Sequence, residues 1–431
     1  MDAHGLKDRI YRELLSIPVI DTHEHLWHDE SSIYKEDDDV LREYLIHYMK
    51  SDVISAGLKP ALFQQVIDHD LRISERWKIV EPFWESARYT GYGRALDLSV
   101  KTIYGIDGVH ANTIEDLNTA FLSRRKPGHY AYVLRDLCNI EISLLDVWTF
   151  HFDHGNDLFK RVWQAQNFLE PSDPEGYDFI PEMEHKHKIK IASLDDWLAI
   201  CEKELDHTLA QNGARVIKSS CAYWRPLRFE KVEYAEVKSL FADAFKSWHA
   251  RGEERMLPRF PIALQDYMMH YQLKLANERN LTFQFHTGLF EGNGNTLSNG
   301  NPSLLNNLFA EYPNVDFDLF HISYPYQGVA CALCKMFPNV FIDMCWAHII
   351  SPTASVSALD DFLDAIPYNK ISAFGGDYLF VDGIYGHLEL SRQNISEVLA
   401  KKVEHGVFSE EKALTIAKAL YYDNPKRIFK L

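Results

Sequence analysis

The sequence predicts an α/β chain, a (β/α)8 TIM barrel with a large helical insertion after the first strand. Three observations carry that expectation. Short apolar segments recur between helical ones, eight strands can be counted, and the polar residues that interrupt those strands fall at their carboxyl ends. Parallel strands need crossover connections and a sheet covered on both faces, which alternating helices supply.

The first strand follows a short helix over 5–16 and begins after Pro18. It runs through Val19-Ile20-Asp21-Thr22-His23-Glu24-His25-Leu26, and its side-chain period of two sends His23 and His25 to one face and Glu24 to the other. From 30 to 138 the chain reads as helix, with apolar residues at mixed three and four spacing, such as Val40, Leu41, Tyr44, Leu45 and Tyr48. This insertion would form a lid or pocket wall inside a single domain spanning 1–431. Its tryptophans, Trp77 and Trp84, suit packing, whereas Arg88 and Arg94 suit either packing or a ligand.

Strands then alternate with helices. Ile140 to Val147 is the second strand, His151 to Gly176 reads as a long loop rich in Asp, Gly, Asn and Pro, and Phe179-Ile180-Pro181 is the third. Ser193 opens a helix as its N-cap, and Asn212-Gly213 ends it before a fourth strand over Ala214 to Lys218. Two helices lead to Leu281 to His286, the fifth strand. Val315 to His321, Val340 to Met344 and Ile371 to Asp377 complete the eight, and helices over 388–404 and 409–422 close the chain.

Composition bounds the function. The 431 residues are 46% hydrophobic and 25% charged, as in ordinary globular proteins, with no fixed-period repeat. A formal net charge of −17 excludes nucleic acid and anionic membrane as expected partners, since both call for a basic face. The first residues lack the apolar core of a signal peptide, and no apolar run has the length of a membrane span, so the expected location is the cytoplasm. Six cysteines are too few for a disulfide framework. The close pair Cys331 and Cys334 lies in a helix-like run and reads as buried packing. The expected partner is a small molecule, and a homo-oligomer stays open.

The chemistry collects on one rim. His23 and His25 end strand one, Lys218 strand four, His286 strand five, His321 strand six and Asp377 strand eight, the face where barrel enzymes carry their active sites. A single strand-end histidine is more often structural than a ligand, but six such polar residues on one rim call for another account. The expected metal ligands are His23, His25, His286 and Asp377. Imidazole and carboxylate together suit zinc, bound as one ion, with a second ion as the alternative. Asp377 can take a proton from bound water, His321 can orient that water or protonate a leaving group, and Lys218 can bind an anion or, carboxylated, bridge two ions.

In that order of residues the chain resembles the amidohydrolase superfamily. Within it, Lys218-Ser219-Ser220-Cys221-Ala222-Tyr223-Trp224-Arg225, Phe285-His286-Thr287-Gly288 and His321-Ile322-Ser323-Tyr324-Pro325 look like the amidohydrolase-like domain fused to glutamine synthetase in some plants and fungi. The chain is also similar to uronate isomerases, in its helical insertion and in Tyr421-Tyr422-Asp423-Asn424-Pro425. Where those isomerases carry Asp-Ser-Arg and Arg-His-Glu-Tyr groups, this chain has Gly376-Asp377-Tyr378 and Gly386-His387-Leu388-Glu389, which counts against sugar-acid isomerisation. The resemblance implies metal-dependent hydrolysis of an amide, lactone or ester bond in a small polar, carboxylate-bearing substrate. Arg225, Tyr223, Tyr324, Arg88 and Arg94 are the expected substrate contacts. Isomerisation or decarboxylation on the same metal is the second expectation, and a barrel kept only for binding or scaffolding is the third.

Overall fold

The computed structural model describes residues 3–34, 38–147, 157–171, 179–212, 214–250 and 259–431. Its strands are parallel, with helices between most of them, which is the α/β class. The chain divides into two compact units. The first comprises 1–160, 289–297 and 342–427; the second comprises 161–288, 298–341 and 428–431.

In the first unit, β1 (Val19–Glu24) is buried at all six positions. It pairs with β2 (Ile140–Leu145) from Val19↔Ile140 to Glu24↔Leu145. β3 (Phe159–Arg161) follows in the same sheet. On the other side of β1 runs the segment after Ser372, through Thr22 N–H to Phe374 O at 3.1 Å and Asp377 N–H to His23 O at 2.8 Å. Its strand, β9 (Ile371–Ser372), pairs with the end of β8 (Val340–Asp343) through Ile342↔Ile371 and Asp343↔Ser372.

Among the described residues no strand lies between 25 and 139. That stretch is built of short helices, the longest Ile73–Ala87 and Gly91–Tyr104. Trp77 and Trp84 are both buried, with ring centroids 5.5 Å apart, and serve packing. The stretch is tied to the helix Asp382–Glu404 by one buried carboxylate. Asp382 accepts hydrogen bonds from Tyr104 at 2.6 Å and Tyr44 at 3.2 Å, and meets His129 at 2.7 Å.

In the second unit, β4 (Trp163–Gln164), β5 (Val216–Ser219), β6 (Thr282–Phe285) and β7 (Asp316–Leu319) lie side by side in that order. Their register aligns Gln164, Lys218, Gln284 and Asp318 in one row, all buried. The helix Leu194–Asn212 opens as the sequence predicts, with Ser193 and Asp196 hydrogen-bonded to each other.

The third strand is a correction. Phe179–His187 is a helix, whose first turn tolerates Pro181 because the first amides of a helix have no partner to lose. The strands between β2 and β5 are β3 and β4, inside the stretch read as a loop. They hold three and two residues, too short for an alternating pattern to register. Residues 151–156 and 172–176 of that expected loop lie outside the described residues, as does Gly213, the expected end of its helix.

No helix among the described residues is long and apolar enough to cross a membrane. No disulfide links the six cysteines, all of them buried.

Candidate metal centre

His23 in β1 and His25, just past its last residue, turn toward each other, with Nε2 atoms 3.3 Å apart. Two carboxylates close around them. Asp146, just past the end of β2, places Oδ2 3.7 Å from His23 Nε2. Asp377 places Oδ1 3.6 Å from His23 Nε2 and 3.2 Å from His25 Nε2. The site is sheltered: His23 is fully buried, and the side chains of Asp146, Asp377 and His25 are 2%, 8% and 14% exposed.

These separations fit one cation. With bonds of about 2.0–2.1 Å, the edge of a coordination tetrahedron is roughly 3.3–3.4 Å; the three gaps among His23, His25 and Asp377 fall around that value, and the ligand atoms of His23, His25 and Asp146 lie within 4.8 Å of one another. The tautomer fits as well. His25 Nδ1 lies 2.8 Å from the main-chain oxygen of Asp146, which can only accept, so Nδ1 carries the hydrogen and Nε2 offers its lone pair to the cluster.

Asp377 follows two glycines for a steric reason. A Cβ on Gly375 would come within 2.5 Å of Thr22 Oγ1, and one on Gly376 within 1.7 Å of Glu24 Oε1. Glu24, on the face of β1 away from the histidines, is fully buried with Asp21. Burial pushes both carboxyls up, Asp21 to about 6 and Glu24 well above the usual carboxylate range. Burial also pulls His47 down to about 3, so its ring is neutral at physiological pH.

Of the expected ligands, His23, His25 and Asp377 thus come together in the first unit, with Asp146 added. His286 lies in the second unit, its Nδ1 3.1 Å from His321 Nε2 and its ring centroid 4.9 Å from that of Tyr223. His321 heads three consecutive left-handed residues, with φ of 63°, 49° and 54° at His321, Ile322 and Ser323. That conformation is rare for non-glycine residues and an outlier for a β-branched one, the kind of turn that clusters at functional sites. Thr287 braces it, donating to Phe320 O and pairing with Ser323 Oγ, both at 2.8 Å. Gly288 leaves room for Tyr324 O, which a Cβ would meet at 2.3 Å. Lys218 is 2% exposed, its Nζ 3.8 Å above the centre of the Phe320 ring.

Arg225, expected at the substrate, is engaged within the second unit. Its guanidinium is buried, bonded to Asp266 at 2.5 Å and to Arg228 O at 2.6 Å, and stacked over Phe229, so its charge is already matched. Arg88 is likewise held by Asp97 at 3.0 Å, and Arg94 lies exposed on its helix.

Known proteins resemble this chain in sequence and in fold. The family described as Amidohydrolase matches residues 250–431. The protein fluG of Emericella nidulans is 29% identical over 174 residues, 39% of this chain and 20% of its own length, so the chain spans about a fifth of that relative. Uronate isomerase from Thermotoga maritima superposes with a TM-score of 0.78 at 18% identity, over 99% of this chain and 97% of its own. Glucuronate isomerase from Caulobacter crescentus gives 0.76 at 15% identity, over 99% and 94%. A Lactobacillus casei protein provisionally named a metal-dependent hydrolase gives 0.63 at 17% identity, over 98% and 97%. The family match thus lies in the carboxyl-terminal part of the chain. The fold is the (β/α)8 barrel, and the family matched over residues 250–431 generally binds a divalent metal.

Asp146 is the residue that reading the sequence for a superfamily ligand set overlooked. It ends the apolar run Ile140 to Leu145 as Asp377 ends its own, so the strand-end rule that found Asp377 would have found Asp146 too.

Proposed function

We propose that the protein is a metal-dependent hydrolase acting on an amide, lactone or ester bond of a small, carboxylate-bearing substrate. The observation that carries this reading is the convergence of two imidazole nitrogens and two carboxylates, with Asp377 Oδ1 3.2 Å from His25 Nε2. His23 Nε2, His25 Nε2 and the Asp146 carboxylate would hold the ion, zinc first, with Asp377 Oδ1 beside both histidines as a further ligand. A bound divalent ion supplies Lewis acidity and brings the pKa of water toward about 7. Asp377 is the residue suited to move the proton. Its Oδ1 accepts the proton of the attacking water and returns it to the leaving nitrogen or oxygen, while the buried surroundings keep other water away.

Isomerisation of a sugar acid is the second reading, because uronate isomerases share the fold along 99% of this chain. One experiment separates the two. Zinc-loaded protein is offered carboxylate-bearing amides, lactones and esters, and in parallel uronates, in heavy-oxygen water. Hydrolysis places the label in the product carboxyl group. Turnover of uronates alone, without cleavage of any amide, lactone or ester, would replace the first reading with the second.

A further inference from the structure

Asp377 sits in a left-handed conformation, φ 58°, between two residues whose main chain is fully engaged. Gly376 N–H donates to Asp21 Oδ1 at 3.0 Å, and its carbonyl faces His387 Nδ1 at 3.2 Å. Asp377 N–H donates to His23 O at 2.8 Å, and its carbonyl accepts from the Tyr48 hydroxyl at 2.5 Å. Tyr378 N–H donates to Glu24 Oε2 at 2.9 Å, and its carbonyl accepts from His25 N–H at 3.2 Å. The two amides flanking Asp377 are therefore held by carboxylates from the strand that also presents the histidine pair. Gly376 lacks a side chain where Glu24 Oε1 fills that space.

We propose that Asp21 and Glu24 are positioning residues that fix the Asp377 carboxylate against His23 and His25 by gripping the amides on either side of it. The inference rests on the metal-centre reading above. Ligands and acceptor share one origin, because one stretch of chain supplies the imidazoles through His23 and His25 and holds the Asp377 turn through Asp21 and Glu24. Loss of such an outer partner typically costs 10- to 100-fold in metal affinity.

The test compares Glu24→Met with Glu24→Gln in the full chain. Methionine keeps the length of the side chain but offers Tyr378 N–H only a weak acceptor, whereas glutamine keeps a carbonyl oxygen. Three quantities are measured: amide exchange at Gly376 and Tyr378 in metal-free protein, thermal unfolding of metal-free protein, and zinc affinity by chelator competition. Glu24→Met should speed exchange at Tyr378 and weaken zinc binding about 10-fold or more, Glu24→Gln should restore both, and Asp21→Leu, which lacks any acceptor, should act in the same direction at Gly376. In an Asp377→Ala background the effect of Glu24→Met on zinc affinity should disappear, because Glu24 acts only through Asp377. A merely structural glutamate would lower the unfolding temperature yet weaken zinc equally in both backgrounds, and that result overturns the proposal. Unchanged zinc affinity in Glu24→Met overturns it alone. Wild-type protein that binds no zinc while its Tyr378 amide stays protected overturns the metal-centre reading, and this inference with it.

Discussion

His25 turns Nδ1 onto the main-chain oxygen of Asp146, 2.8 Å away, while the side chain of the same aspartate reaches toward His23 at 3.7 Å. One residue thus orients one histidine and joins the other in the cluster. The purified protein should accordingly hold about one divalent ion per chain. Elemental analysis should show His23→Ala and His25→Ala losing most of it, and Asp146→Asn losing part. Full occupancy in His23→Ala would contradict the cluster as a metal centre.

Asp377→Asn keeps an oxygen beside His25 Nε2 but loses the charge and the proton acceptor. Hydrolytic turnover should fall by several orders of magnitude in zinc-saturated protein, where metal occupancy is kept full. Steady-state kinetics and metal content on the same sample give the answer, and a kcat near wild type would remove Asp377 from the proton-transfer role.

Arg225→Ala should act on stability. The guanidinium and Asp266 are 2% and 6% exposed, and removing one partner of a buried pair leaves an uncompensated charge, at a cost of about 3–5 kcal/mol. Denaturant unfolding should show that loss. If stability is unchanged and KM rises instead, Arg225 is a substrate contact after all.

His348 gives a dependence on pH. It is fully buried, its Nε2 faces Ala373 O at 3.0 Å, and burial holds its folded pKa at about 4 against 6.5 unfolded. A depressed histidine binds fewer protons folded than unfolded, so its stabilising contribution is full above 6.5 and is lost as pH falls toward 4. That amounts to about 3 kcal/mol across the window. Unfolding free energy measured between pH 7 and 4 should fall less steeply in His348→Gln than in wild type, and parallel curves would refute the assignment.

What the sequence made legible follows from the range of each interaction. His23 and His25 were readable because two residues of separation on a strand put them on one face, and Asp377 because a charge ending an apolar run stands out. The pairing of Arg225 was not legible because its partner Asp266 lies 41 residues away and only packing brings them together. β4 escaped notice because two residues show no alternation, and only its register with Ile217 and Lys218 makes it a strand. The glycines before Asp377 show their reason only once Thr22 and Glu24 are seen occupying the space a Cβ would need.

That interlock also limits how this ligand set could be transplanted. A graft of His23, His25 and Asp377 onto another barrel would inherit three side chains without the scaffold that aims them, because the turn carrying Asp377 borrows its hydrogen-bond partners from Asp21 and Glu24 of β1. The smallest transferable module is the whole strand from Asp21 to His25 together with Gly375 to Tyr378.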